Sequence, residues 1–295
     1  MAEITNSNLS EYVAEVPASG GNAKTIKNII KYTVLIAVTL LWLLPVIAAV
    51  TTSFRTMADI NSNGLWSMPE AITFDNFTKA WTKARVDKYL LNSFLITIPA
   101  LIGTLSLSSL VAFALARYKF RMNLPLYFMF VAGTMLPFQI LLLPVFRLAN
   151  ILRIYDTHLS LIIIHTAFQM GFCVLVLRNF MRTIPSEIFE ASRVDGASDF
   201  RQYWQIMLPL SIPALAAVAT LEFTWIFNDY LWAIVLLRTD TLKPVTAGLS
   251  TLQGQYTTDW PLITAGAILA TLPTVLVFVF LQRYFIQGLT LGSNK

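Results

Sequence analysis

The stretch Arg182-Thr-Ile-Pro-Ser-Glu-Ile-Phe-Glu-Ala-Ser-Arg-Val-Asp-Gly196, continuing Ala197-Ser-Asp-Phe-Arg-Gln-Tyr-Trp-Gln-Ile206-Met-Leu-Pro209, lies between two long apolar runs. It is not an ordinary linker, because connections between helices are commonly about two to eight residues. Pro185 marks a helix start with Ser186 as its cap, although the third residue beyond is Phe189, so a capping box is absent. Ile188, Ala191 and Val194 recur at helical spacing, with Glu187, Glu190 and Arg193 on exposed faces. Gly196 supplies the permissive backbone that ends a helix. A second short helix is expected over Asp199–Met207, stopping near Pro209. A helix lying flat on lipid would carry many Lys and Arg on its polar face. Here Glu187, Glu190, Asp195 and Asp199 balance the arginines, so the element reads as a surface for a protein partner.

Working outward, the flanks are membrane-like. Of 295 residues, 56% are hydrophobic and 13% charged, with a mean hydropathy of +0.64. Soluble domains carry about 25% charged residues. A helix needs about 20 mostly apolar residues to cross a bilayer, and six stretches qualify: Ile29–Ser53, Leu90–Ala116, Leu124–Ala149, Leu159–Phe180, Leu210–Leu237 and Leu262–Phe285. They are continuously apolar rather than alternating, which excludes a β-barrel reading. The expected class is therefore an all-α integral membrane protein with six spans. Residues 1–28 form a polar leader and 29–295 the membrane domain, with the intervening element at 183–209. The leader, with Glu3, Glu11 and Glu15, lacks the short apolar core of a signal peptide, so the first run reads as an uncleaved span.

Loop charge orients the chain. With the amino terminus inside, the inner segments hold Lys24, Lys27, Lys31, Arg117, Lys119, Arg121, Arg178, Arg182, Arg193, Arg201, Arg283 and Lys295. The outer segments hold the nine others: Arg55, Lys79, Lys83, Arg85, Lys88, Arg147, Arg153, Arg238 and Lys243. The tight cluster Arg117-Tyr-Lys-Phe-Arg121 weighs most, placing both termini in the cytoplasm and segments 54–89, 150–158 and 238–261 outside. The +5 charge sits beside the spans, so topology explains it and a nucleic-acid partner is not expected.

Polar groups inside spans are costly and face protein or water. Glu222, Asn228 and Asp229 fall in the fifth run, and the seven-residue interval from Glu222 to Asp229 puts both carboxylates on one helical face. A pore wall is one reading, with Trp225 and Trp232 available to stack on a cargo; buried pairing with a second subunit is the other. Gln139, Gln169 and Gln282 are weaker candidates, and Pro137, Pro144 and Pro273 mark kinks or breaks. Catalytic and metal residues are not expected. No Gly-x-x-x-x-Gly-Lys-Ser/Thr loop is present, His158 and His165 lack metal-ligand spacing, and the single cysteine, Cys173, reads as apolar packing. An ion-driven secondary carrier would show repeated halves, and an intramembrane enzyme would need a paired nucleophile and base; neither pattern stands out.

The pattern Glu-Ala-Ala, three residues, Gly, nine residues, Ile-x-Leu-Pro is the signature of permease subunits of binding-protein-dependent ABC importers. The chain resembles it at Glu190, Ala191, Gly196, Ile206, Leu208 and Pro209, with Ser192 replacing the second Ala and Asp195 inside the first interval. Ser53-Phe-Arg55, Trp66, Pro69, Thr73-Phe-Asp-Asn-Phe77, Asn92-Ser93, Asn228-Asp-Tyr-Leu-Trp232 and Gln287-Gly-Leu-Thr-Leu-Gly292 look like MalG-type carbohydrate permeases. The resemblance implies a type I ABC importer permease fold in the bacterial inner membrane, with 183–209 as a coupling helix seated in an ATPase subunit. Glu190 would then face a basic group and Gly196 would allow the turn. It implies partners: a second, MalF-like permease, two ATPase subunits, an external solute-binding protein and lipid. ATP and Mg would be bound by the ATPases, with no cofactor in this chain, and residues 286–295 would reach toward them. Disaccharides, oligosaccharides, sugar alcohols and glycerol-linked compounds are all compatible cargoes.

Overall fold

A computed structural model describes residues 21–252 and 258–290, with side chains over 25–252 and 258–282. Among the described residues, four helices are each long and apolar enough to cross a membrane: α1 (Gly21–Ser53), α4 (Val86–Arg117), α7 (His158–Met181) and α14 (Trp260–Thr290). The short α2 (Met57–Asn63) and α3 (Asp75–Thr82) lie between α1 and α4, and α13 (Val245–Ser250) precedes α14. Residues 1–20 of the expected leader and 291–295 of the expected tail lie outside the described residues; from residue 21 the leader is already helical.

The third and fifth apolar runs are broken rather than straight, the third at Pro137, where a kink or break was expected. The third is two helices, α5 (Asn123–Thr134) and α6 (Phe138–Ile151), bent by 99° at the break. At about 1.5 Å per residue neither half reaches the roughly 30 Å of a bilayer core. Pro137 explains the break: it lacks an N–H and biases Leu136 away from helical geometry. Pro144 and Pro273, by contrast, sit inside continuous helices. The fifth run divides into α11 (Ile212–Phe227) and α12 (Leu231–Leu236), interrupted at residues 228–230. Its entrance is bent too, by 73° between Asp199–Leu210 and Ile212–Phe227. The count of spans rises from four to six when each bent pair counts as one.

Packing follows from which faces are small. Along α4, Ser93, Thr97, Ala100, Thr104, Ser108 and Ala112 are all buried, a stripe of small residues that lets α7 and α11 approach closely. Gly171 of α7 is needed for the same reason, since a Cβ there would stand 2.7 Å from the Phe130 carbonyl of α5. Facing outward, α1 packs along α14 and exposes Leu41 and Trp42 on a helix apolar all round. Such a surface suits lipid or another subunit rather than water.

The three segments expected outside converge on one end of the bundle. Asp156 accepts hydrogen bonds from the Arg238 and Thr239 N–H groups (2.8 and 2.9 Å) and from Thr239 Oγ1 (2.6 Å). These donors hold its carboxyl below the usual range against the opposing pull of burial. Tyr89 donates to Asp240 (2.9 Å), Asn92 to the carbonyls of Thr241 and Lys243, and His158 Nε2 bonds the Leu242 carbonyl (2.9 Å). Arg55, with no exposed surface, clamps the 54–70 loop. It pairs with Asp59 at 2.8 Å and donates to the carbonyls of Gly64, Leu65 and Ser67. That guanidinium, helped by the Asn63 amide, holds the Asp59 carboxyl far below the usual range.

Candidate functional site

At the opposite end, α8 (Glu187–Val194) begins after Ser186, whose side chain makes no capping bond. Gly196 has φ +80°, with bonds from its N–H to Arg193 O (3.0 Å) and from Ala197 N–H to Ser192 O (2.9 Å). These two bonds form a Schellman stop, which needs a left-handed residue and therefore favours glycine. The following α9 (Asp199–Gln202) is capped by Ser198 Oγ, runs through a π-helical turn at Tyr203–Met207 and on into α10 (Leu208–Leu210). The helical path ends close to the expected stop near Pro209: Pro209 lies in its last turn and the chain bends at Ser211.

The buried face of this element is not the one its apolar spacing suggests. Ile188 and Val194 are exposed, Val194 at 90%, whereas Phe189 is buried against Phe113 of α4 and under the Arg117 guanidinium, 3.8 Å from the ring centroid. Gln202 donates to Phe189 O (3.2 Å) and Tyr203 shares a hydrogen bond of 2.7 Å with Ser109 of α4. Arg117 donates to Ile184 O (2.9 Å). Phe189, Tyr203 and Met207 thereby join one core cluster with Cys173, Leu177 and Met181 of α7 and Val218 of α11. The element is thus fastened to three span-forming helices while Glu190, Ala191, Val194, Phe200 and Trp204 point away from the bundle. Of the signature positions, Glu190, Ala191, Asp195 and Gly196 are exposed, Ser192 is half-buried and bonded to Phe189 O (2.8 Å), and Ile206 and Leu208 are half-buried.

The two broken spans meet at a cavity of about 330 Å³. Its walls are aromatic, with Phe138, Phe168, Phe172, Trp225 and Trp232, and its polar groups are Asp229, His165, Gln169 and Thr134. Asp229 occupies the break after α11, accepting from the Trp232 and Ala233 N–H groups (3.4 and 3.1 Å), so the interruption orients a carboxylate within an apolar bundle. His165 Nε2 lies 3.7 Å from its Oδ2. Trp232 lies tilted against Phe168 (5.3 Å between centroids) and Trp225 edge-on to Phe172 (5.1 Å). Trp225, Asp229 and Trp232 are therefore brought together at the cavity. Two other candidates are not: Asn228 is exposed with its amide on Thr224 O, and Glu222 is fully buried, accepting from Cys173 Sγ at 3.2 Å. Both carboxylates do face α7, two turns apart, as their spacing implies, but only one reaches open space. His165 and the phenylalanines were not among the pathway candidates in the sequence; the usable signal was Pro137, next to Phe138 of the same cavity.

The chain matches, over residues 105–291, the family described as "Binding-protein-dependent transport system inner membrane component". It is 34% identical over 254 residues to the arabinooligosaccharides transport system permease protein AraQ of Halalkalibacterium halodurans, covering 85% of this chain and 90% of that protein. It is 33% identical over 268 residues to the osmoprotective compounds uptake permease protein GgtD of Synechocystis, covering 88% and 90%. Its fold matches that of a solved bacterial ABC transporter involved in the import of the acidic polysaccharide alginate. The TM-score is 0.80 at 22% identity, covering 90% of this chain and 98% of that one. The chain belongs to the family of binding-protein-dependent transport system inner membrane components, the permease subunits of ABC transporters.

Proposed function

We propose that this permease forms half of an importer pathway for a carbohydrate, driven by ATP hydrolysis on two partner ATPase subunits and fed by an external solute-binding protein. A second permease completes the pathway against the faces left exposed here. The element 183–209 is the coupling handle, and it lies in the cytoplasm with both termini. The observation that carries this reading is the fastening of the handle: Phe189, Gln202 and Tyr203 lock it to the spans, while apolar tips at Val194 and Phe200 stand outside the bundle. An exposed apolar tip on a rigid stalk is a docking surface and a lever at once. Glu190, Ala191, Asp195 and Gly196 lie on its free side, with Ser192, Ile206, Leu208 and Pro209 setting its shape. ATP and Mg belong to the partner; this chain supplies the lever and the wall.

Cargo is supported by the cavity. Indole faces at Trp225 and Trp232 with Asp229, His165 and Gln169 between them offer the mixture of flat apolar surface and hydrogen-bonding groups that a sugar presents in complement. The cargoes of AraQ and of the alginate transporter point the same way. Reconstituted with its partners, the Glu190→Lys variant is expected to lose substrate uptake and stimulated ATP hydrolysis together. Full uptake and full stimulation in that variant would refute the assignment of the handle.

A further inference from the structure

We propose that the basic pocket where α4, α5 and α7 meet, at the handle end of the bundle, binds the phosphate headgroup of an anionic phospholipid. The pocket has a volume of about 500 Å³ and is lined by Lys119, Arg121, Arg178 and Arg182, with no acidic residue among its lining groups. Arg178 is the anchor of the argument. It is 6% exposed, and its hydrogen bonds are long ones to neutral acceptors, 3.4 Å to Leu115 O and 3.5 Å to Asn123 Oδ1. The Tyr127 ring covers it at 3.9 Å, and no carboxylate lies within ion-pair distance among the described residues. A buried guanidinium without a counter-charge is costly, and three more cations crowd the same opening. The pocket therefore calls for an anion. The start of α5 at Asn123 adds the positive end of a helix dipole beside them.

The rim decides where that anion comes from. Phe120 and Leu124 are exposed apolar side chains lining the opening, and Met122 and Phe128, close to them in the chain, are exposed as well, an apolar surface suited to acyl chains. A free phosphate would have no use for that surface, whereas a lipid fills both parts at once. Basic pockets between spans on the cytoplasmic side suit anionic headgroups. The proposal rests on the reading above only in taking the handle end as cytoplasmic.

The test is native mass spectrometry of the full-length chain, purified with whatever subunits accompany it, after incubation with equimolar phosphatidylglycerol and phosphatidylcholine. Each cation near the surface is worth about fivefold in lipid affinity. The triple variant Lys119→Gln/Arg121→Gln/Arg182→Gln, all at exposed positions, is expected to bind phosphatidylglycerol about a hundredfold more weakly. The control Lys79→Gln/Lys83→Gln, at the opposite end, is expected to bind as the parent does. Equal retention by parent and triple variant, no preference over phosphatidylcholine, or displacement of the lipid by inorganic phosphate alone would overturn it. So would a triple variant that keeps its lipid but loses its ATPase subunits, since the pocket would then be a protein contact. Because the readout is lipid rather than uptake, a chain that bound phosphatidylglycerol yet failed to couple to an ATPase would sink the importer reading and leave this one standing.

Discussion

Phe189→Ala addresses the fastening of the handle directly. The ring is 5% exposed, with its centroid 6.5 Å from that of Phe113 and the Arg117 guanidinium 3.8 Å above it. Truncating a buried Phe to Ala removes the transfer free energy of the ring and leaves a cavity, together about 3–5 kcal/mol. That includes the cation–π contact, which alone is worth about 0.5–2 kcal/mol. α8 is only eight residues long and cannot hold its shape unpacked, so the loss falls on the docking of the handle rather than on the whole bundle. A loss of 3–5 kcal/mol raises the opening equilibrium of 187–207 by about 150- to 5,000-fold. Hydrogen exchange read by mass spectrometry is expected to show protection collapsing across 187–207 while the centres of α4 and α7 keep theirs. In proteoliposomes the partner ATPase is expected to turn over without matched uptake, because the lever has lost its stiffness. Phe200→Ala, at a residue 70% exposed, is expected to spare protection and weaken ATPase association instead. Unchanged exchange in 187–207 together with normal uptake in Phe189→Ala would refute the reasoning.

Two further outcomes are expected. Gly171→Ala pushes a methyl group against the Phe130 carbonyl and the Thr134 side chain, so α5 must shift off α7 at a cost of about 1–3 kcal/mol. A lowered thermal midpoint of the detergent-solubilised protein checks this, and an unaltered midpoint contradicts it. At the end opposite the handle, Asp59 is hydrogen-bonded by Arg55, which places its folded pKa below the unfolded value of about 3.9. The stabilisation is therefore complete above about pH 4 and disappears only as pH falls through the folded value. Limited proteolysis of the 57–70 loop is expected to be flat from neutral pH down to about 4 and to rise below it; a rise between pH 5 and 7 would contradict the clamp.

Membrane residence and the handle were legible for different physical reasons. A bilayer demands long apolar runs, so composition alone announced the spans. A Schellman stop demands a residue tolerant of positive φ, so Gly196 between two short periodic segments announced the turn. The handle's buried face was not legible, because the helical stripe Ile188, Ala191 and Val194 does not say whether the bundle or a partner covers it. Tertiary contacts put Phe189 inward instead, where Phe113, Tyr203 and Met207 make a site that an aromatic ring fills. The stripe is left for something outside the chain.

The cavity shows the same division. One carboxylate in a span is costly wherever it lies, so Glu222 and Asp229 could be singled out from the sequence. Their fates separate only in three dimensions. The break at residues 228–230 supplies Asp229 with two backbone donors and an opening, whereas Glu222 is enclosed by α7 with Cys173 as its partner. The sequence on its own determined the class of the molecule, the number of apolar runs and the position of the handle, because each depends on local composition or on a single residue's backbone. Only the tertiary structure decided that the fifth run is interrupted, how sharply the third bends, which aromatic rings share a cavity and which face of the handle is free. Those depend on contacts between segments far apart in the chain, and a bend at one proline moves them all.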